Sequence, residues 1–164
     1  MAPEHAHHQH EHSATAEEKD SVTGLAVSAT IHCLTGCAIG EVLGMVIGVA
    51  FGWSNAATVI LSVVLAFLFG YSMTLWPLLA GGMALGKAAS LALASDTLSI
   101  TVMEIVDNAV VLIIPGAIDA GLTSLLFWIS LTLSLAVAFI AALPVNRWLI
   151  STGRGHALVH ARHH

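Results

Sequence analysis

Four stretches of this sequence, about residues 22–51, 56–79, 91–114 and 122–150, are apolar over lengths that cross a bilayer; about 20 residues per helix suffice. They leave little else for the chain to become. Only 9% of its 164 residues are charged and 57% are hydrophobic, with a mean hydropathy of +0.87. A soluble domain carries about 25% charged residues, so this chain has too few to cover a water-facing surface. The expected fold is an all-α membrane protein: four transmembrane helices in an antiparallel bundle, since short connections make sequential helices antiparallel neighbours.

Residues 1–21 form a polar, histidine-rich tail whose low hydrophobicity argues for disorder, and residues 151–164 form a second tail. The first twenty residues lack the apolar core of a cleavable signal, so the first span is expected to act as its own insertion signal. Ser54 and Asn55 make a tight turn, Gly81 to Ala89 a short connection, and Pro115 to Gly121 the last turn. All five basic residues, Lys19, Lys87, Arg147, Arg154 and Arg162, fall in the two tails, the middle connection or the end of the last span. With four spans these share one side, and the positive-inside rule puts both termini in the cytoplasm of a multi-pass inner-membrane protein. Trp53, Trp76, Trp128 and Trp148 fall near span ends, as an interfacial aromatic belt requires.

The chemistry lies inside the spans. The first reads HCLTGCAIGEVLGMVIG from His32, and the third carries Asp96, Glu104 and Asp107. An Asp at a span centre costs roughly 2.5–3.5 kcal/mol on insertion scales. Four intramembrane carboxyls with no Lys or Arg at their depth carry protons or a bound cation. Gly36, Gly40, Gly44 and Gly48 recur every four residues, a stripe that lets another helix approach closely, within the bundle or in a second protomer. Cys33, Cys37 and Glu41 line the side next to that stripe, with His32 on the other flank. Thiolate, imidazole and carboxylate are the common protein metal ligands, and thiolates favour soft ions such as Cu(I) or Zn; the plainer reading of a membrane cysteine is a small hydrophobe. In the third span Asp96, Met103 and Asp107 share one face, with Glu104 and Asn108 beside it. Counting from the span starts puts Glu41, Glu104 and Asp107 near mid-bilayer within about a turn of one another. Helices one and three are thus expected to share a polar seam. The plainer reading is a network of protonated acids bonded to Asn108 and nearby hydroxyls.

Helix two carries Met73, a possible soft ligand and more ordinarily packing, followed by Pro77, which is expected to kink it. Helix four is apolar until Pro144, Asn146 and Arg147 and reads as a lipid-facing scaffold. His5, His7, His8, His10 and His12, with His156, His160, His163 and His164 at the other end, suggest tails that gather metal through neutral imidazole, or simply solvated tails.

HCLTGCAIGEVLGMVIG, DTLSITVMEIVDNAVVLIIPGAIDAG and LPVNRWLI together resemble a family of bacterial integral-membrane proteins described only as a domain of unknown function. The resemblance covers about residues 24–160 and implies a four-helix membrane domain; it implies no activity.

The functional expectation is a small inner-membrane protein that binds or conducts a cation, with a transition-metal ion such as copper or zinc as the first candidate. Its ligands or carriers would be His32, Cys33, Cys37, Glu41, Asp96, Met103, Glu104 and Asp107. Transport by so thin a bundle calls for a homo-oligomer in the lipid bilayer. The second reading is a structural or assembly subunit of a larger membrane complex; the third is a redox or haem-associated protein, in which His32 would be an axial ligand. A net charge of −5 without a basic patch argues against nucleic acid. No hydrolase triad or nucleotide loop points to an enzyme.

Overall fold

The computed structural model describes the backbone of residues 5–152 and the side chains of residues 21–152. These residues form four helices: α1 (His5–Phe51), α2 (Asn55–Ala80), α3 (Leu85–Ile113) and α4 (Leu125–Ser151). Ser21–Phe51 of α1, all of α2 and all of α4 are long and apolar enough to cross a membrane, with hydropathies of 1.9, 2.1 and 2.3. α3, which carries Lys87, Asp96, Glu104 and Asp107, is not among them.

Several boundaries differ from those the sequence suggests. The backbone of residues 5–21 is helical and continuous with α1, where an irregular tail was expected. No Gly or Pro lies between His5 and Thr23, and the segment is rich in the helix formers Ala, Glu and Gln. The side chains of the tail histidines His5, His7, His8, His10 and His12, and residues 153–164 with the C-terminal histidines, lie outside the described residues. The middle connection shrinks to residues 81–84. There Gly82 takes φ 83°, and the Met83 N–H closes back on the Leu78 carbonyl at 3.1 Å. Past Gly82 nothing stops a helix, so α3 starts at Leu85 and absorbs residues expected to be loop. At the first turn Gly52 takes φ 65°, and Ser54 caps α2 by accepting from the Ala57 N–H at 3.4 Å.

The helices pack in the ring order α1, α2, α3, α4, and α1 also touches α3 across the diagonal. The glycine stripe sets the α1–α2 contact. A methyl group added at Gly36 would lie 2.6 Å from Gly70 Cα, one at Gly40 would strike the Ala66 backbone, and those at Gly44 and Gly48 would meet Ser62 and Thr58. Its partner is therefore α2 of the same chain, and the stripe is not free to join a second copy. α2 presents Thr58, Ala66, Gly70 and Thr74 on its buried side. α4 is no plain lipid-facing helix: Ser130, Ser134, Ala138, Ala142 and Asn146, four residues apart, are all buried. Asn146 Nδ2 donates to Thr30 Oγ1 at 2.8 Å, tying α4 to α1. Large apolar side chains such as Ile60, Leu68, Leu93, Ile105 and Ile140 face outward.

Candidate functional site

α1 and α3 run parallel on the diagonal, so the polar residues each carries at its inner face meet in sequence order along the bundle interior. At one level Asp96 accepts from Ser95 Oγ at 2.7 Å. It lies beside Thr74 of α2 and within electrostatic range of His32, while Cys33 neighbours Ser99 and Asp96. About one turn further along α1, Cys37 lies against Glu104. At the next level Glu41 faces Asp107, which also lies beside Ser134 of α4.

His32 has a second connection that follows from covalent chemistry. Pro77 has no N–H, so the Met73 carbonyl four residues before it loses its helical partner. His32 Nε2 sits 2.7 Å from that oxygen. A carbonyl only accepts, so His32 donates from Nε2, and a neighbouring helix satisfies the group that proline frees. Nε2 is thereby unavailable to a metal or haem iron.

The carboxyls are short of donors. Both oxygens of Glu41, both of Glu104, Asp96 Oδ2 and Asp107 Oδ1 are buried and receive no bond from a standing N–H or O–H donor; Glu41 and Asp107 have each other, and Glu104 has the Cys37 thiol. Asp96, Glu104 and Asp107 are 3%, 5% and 4% exposed. The two basic side chains described, Lys87 and Arg147, are both on the surface and bring no counter-charge.

The soft donors border the acids on one side and apolar packing on the other. Cys33, Cys37 and Met103 belong to a core cluster with Ala66, Ile100, Ala138 and Ala142, and both thiols are free. Among the described residues, no three His, Cys, Asp or Glu side chains gather closely enough to hold a metal ion. The eight residues that the sequence suggests as metal ligands thus form a column, not a coordination sphere.

At the Glu41–Asp107 end the column opens into a cavity of about 160 Å³. Glu41 and Asp107 line it from the bundle side, together with Ser62 and Asn108; Met45, Val111 and Phe127 form apolar wall, and Trp53 and Asn55 lie at the turn. Asn55 Nδ2 donates to Asp119 Oδ1 at 2.7 Å, joining the α1–α2 turn to the α3–α4 loop.

The family model described as Domain of unknown function (DUF4396) matches residues 24–155. The chain belongs to that family. The DUF4396 domain takes in all four acids, both cysteines, His32 and the glycine stripe, and leaves out the N-terminal histidines and His156 onward. No curated protein and no solved structure matches the chain.

Several polar residues around the acids escape a reading of charged residues alone. Thr74, Ser99 and Ser134 border the acids, and Ser62, Asn108 and Ser130 line the cavity. The four-residue repeat of small and polar residues from Ser130 to Asn146 was a legible signal for α4. The orphaned Met73 carbonyl was legible from Pro77, but its partner His32, 41 positions away, was not.

Proposed function

We propose that this DUF4396 protein is a four-span membrane protein, not an enzyme, that binds or conducts a cation along the column from Asp96 to Glu41. The observation that carries the reading is the burial of four carboxyls with no Lys or Arg side chain beside them. Asp96, Glu104 and Asp107 are all at most 5% exposed, and six of the eight oxygens on the four acids receive no hydrogen bond from a standing N–H or O–H donor. Glu41 lies against Asp107 and Glu104 against Cys37, so what these groups need is a shared proton or another cation; leaving a buried polar group unpaired costs about 1–3 kcal/mol.

α3 serves as the fourth span in this proposal. Its 29 residues reach about 43 Å at 1.5 Å each, more than the roughly 30 Å hydrocarbon core. Its acids are turned inward, while Leu93, Leu98, Ile105 and Leu112 face outward. Its average hydropathy therefore understates how apolar a face it offers lipid. Trp53 and Trp128 lie at one end of the bundle, Trp76 and Trp148 at the other, all at least 46% exposed, in keeping with aromatic belts at two interfaces. With Lys87 and Arg147 at the second end, that end is assigned to the cytoplasm, termini included.

Copper and zinc are the less favoured cations, because no three ligating side chains converge among the described residues and His32 spends Nε2 on Met73. A haem on His32 meets the same objection. Homo-oligomerisation stays part of the proposal, through a surface other than the glycine stripe.

The test is flux. The full chain is reconstituted in liposomes and H⁺, Na⁺, K⁺ and Zn²⁺ movement is followed with trapped dyes, for wild type, Glu104→Gln and Asp107→Asn. Flux of at least one cation, lost in both amide variants while helicity is retained, is expected. Wild-type liposomes as tight as empty ones, with no cation retained by the purified protein, would refute the proposal.

A further inference from the structure

We infer that the cavity between the Glu41–Asp107 pair and the α1–α2 turn is a binding site for a small organic ammonium ion with an apolar body. The inference rests on the cation reading above and names a ligand class for one end of the same column.

Three observations converge on that chemistry. Asp107 is 4% exposed and lines the cavity. Glu41 lines it as well and lies against Asp107. Two carboxyls with no basic side chain beside them favour a ligand that brings a positively charged donor to this end of the space, and charge-assisted bonds of that kind are the strong ones. Next, the wall is apolar and partly aromatic, with Met45, Val49, Val111, Phe127 and Trp53. A hydrated inorganic ion gains nothing from such a wall, whereas a hydrocarbon body does, and aromatic rings add attraction for ammonium. Finally, the volume of about 160 Å³ is close to the roughly 150 Å³ of engineered protein cavities that accept benzene. A ligand of one ring or a short alkyl chain fits; a two-chain lipid does not.

A bare metal ion is disfavoured because no three ligating side chains converge among the described residues. Ser62, Asn108 and Ser130, also on the lining, supply neutral acceptors for the remaining ammonium hydrogens.

The experiment is calorimetric titration of the full chain in dodecyl maltoside, a detergent without amines, with three probes: benzylammonium, benzyl alcohol and ammonium. Benzyl alcohol keeps the body and removes the charge; ammonium keeps the charge and removes the body. Saturable binding of one benzylammonium per chain is expected, at least about tenfold tighter than either of the others, as the loss of one charged hydrogen bond or of a buried ring implies. Asp107→Asn should weaken benzylammonium at least about tenfold, and Val111→Trp, which fills apolar space and leaves both acids, should abolish it. Benzylammonium binding no tighter than benzyl alcohol would overturn the inference, as would undiminished binding in a folded Val111→Trp variant, which does not depend on how Asp107→Asn folds. Liposome flux separates the two proposals. Flux of an inorganic cation without benzylammonium binding overturns this inference alone; benzylammonium binding without flux supports it and overturns conduction.

Discussion

The glycine stripe offers the sharpest quantitative test of the fold. Replacing Gly36 with Ala puts a methyl carbon 2.6 Å from Gly70 Cα and 2.7 Å from Gly70 N, against the 3.5–4.0 Å at which carbon atoms attract best. Both obstacles are backbone, so no rotamer change relieves the contact and α1 and α2 must part by about 1 Å. A gap of that size forfeits a quarter to a half of each affected dispersion contact, itself about 0.1–0.2 kcal/mol. If about fifty atom pairs near the crossing are affected, roughly the number around one buried leucine, the loss is about 1–5 kcal/mol. Alanine returns about 1 kcal/mol of helix propensity, leaving a net cost of up to about 4 kcal/mol for Gly36→Ala and Gly40→Ala, a span that contains the usual range of about 1–3 kcal/mol for overpacking. At Gly48 the obstruction is the Thr58 side chain alone, so a smaller cost is expected. Gly24 has nothing within 4 Å, and Gly24→Ala should be neutral or stabilising by up to about 1 kcal/mol. Reversible unfolding in mixed detergent and SDS micelles, followed by circular dichroism, ranks the series. Gly36→Ala and Gly40→Ala as stable as Gly24→Ala would refute the α1–α2 packing and free the stripe for another partner.

Three further outcomes follow from named contacts. His32→Ala should cost about 0.6 kcal/mol and no more than about 1.7, the span measured for hydrogen bonds inside membranes. The cost should shrink when Pro77→Ala restores an N–H for the Met73 carbonyl; an equal cost in both backgrounds, in the same unfolding assay, would rule out the link. A double-mutant cycle on Thr30→Val and Asn146→Leu should show coupling of about 0.5–1.5 kcal/mol, because each residue supplies one half of a single buried bond; simple additivity would contradict it. Cys33 and Cys37 are 3% and 1% exposed, so maleimide should label neither in the folded protein and both after SDS unfolding. Rapid labelling of the native state would mean that water reaches the column at the level of the thiols.

The number of helices and the inward turn of the acids were legible because both depend on short-range pattern. Apolar runs mark Ser21–Phe51, α2 and α4, and the even spacing of Cys33, Cys37 and Glu41 marks a face. Parallel running of α1 and α3 follows from counting helices, which is why matched depths anticipated the meeting of Glu41 with Asp107. What stayed illegible depends on three-dimensional choice. The stripe's partner could have been any helix until Gly70, Ala66, Ser62 and Thr58 were seen opposite it. His32 looked like a ligand because the residue chemistry permits it, yet the competing demand of an orphaned carbonyl on α2 takes its Nε2. Cys33 and Cys37 on α1 and Met103 on α3 pack with Ala66, Ile100, Ala138 and Ala142, and Cys37 also lies against Glu104, a double environment that sequence spacing does not show.

The glycines and the acids are two parts of one device. On α1, Cys37 follows Gly36 and Glu41 follows Gly40, each about 100° further round the helix. Drawing α2 tightly onto the glycine side fixes the rotation of α1, and that rotation aims Cys37 and Glu41 at α3 across the diagonal. α4 answers from the other side: the same buried repeat that lets it pack places Ser134 beside Asp107 and Asn146 on Thr30. Close packing on both flanks supplies stability that the acids do not, which is how the bundle can hold four buried carboxyls with no Lys or Arg side chain beside them. On the conduction reading proposed above, Gly40→Ala should reduce cation flux more steeply than a stability loss of about 1–3 kcal/mol implies, since parting α1 from α2 also turns Glu41 away from Asp107. A Gly40→Ala protein that is destabilised yet conducts at the wild-type rate per folded molecule would separate the packing from the site and break this connection.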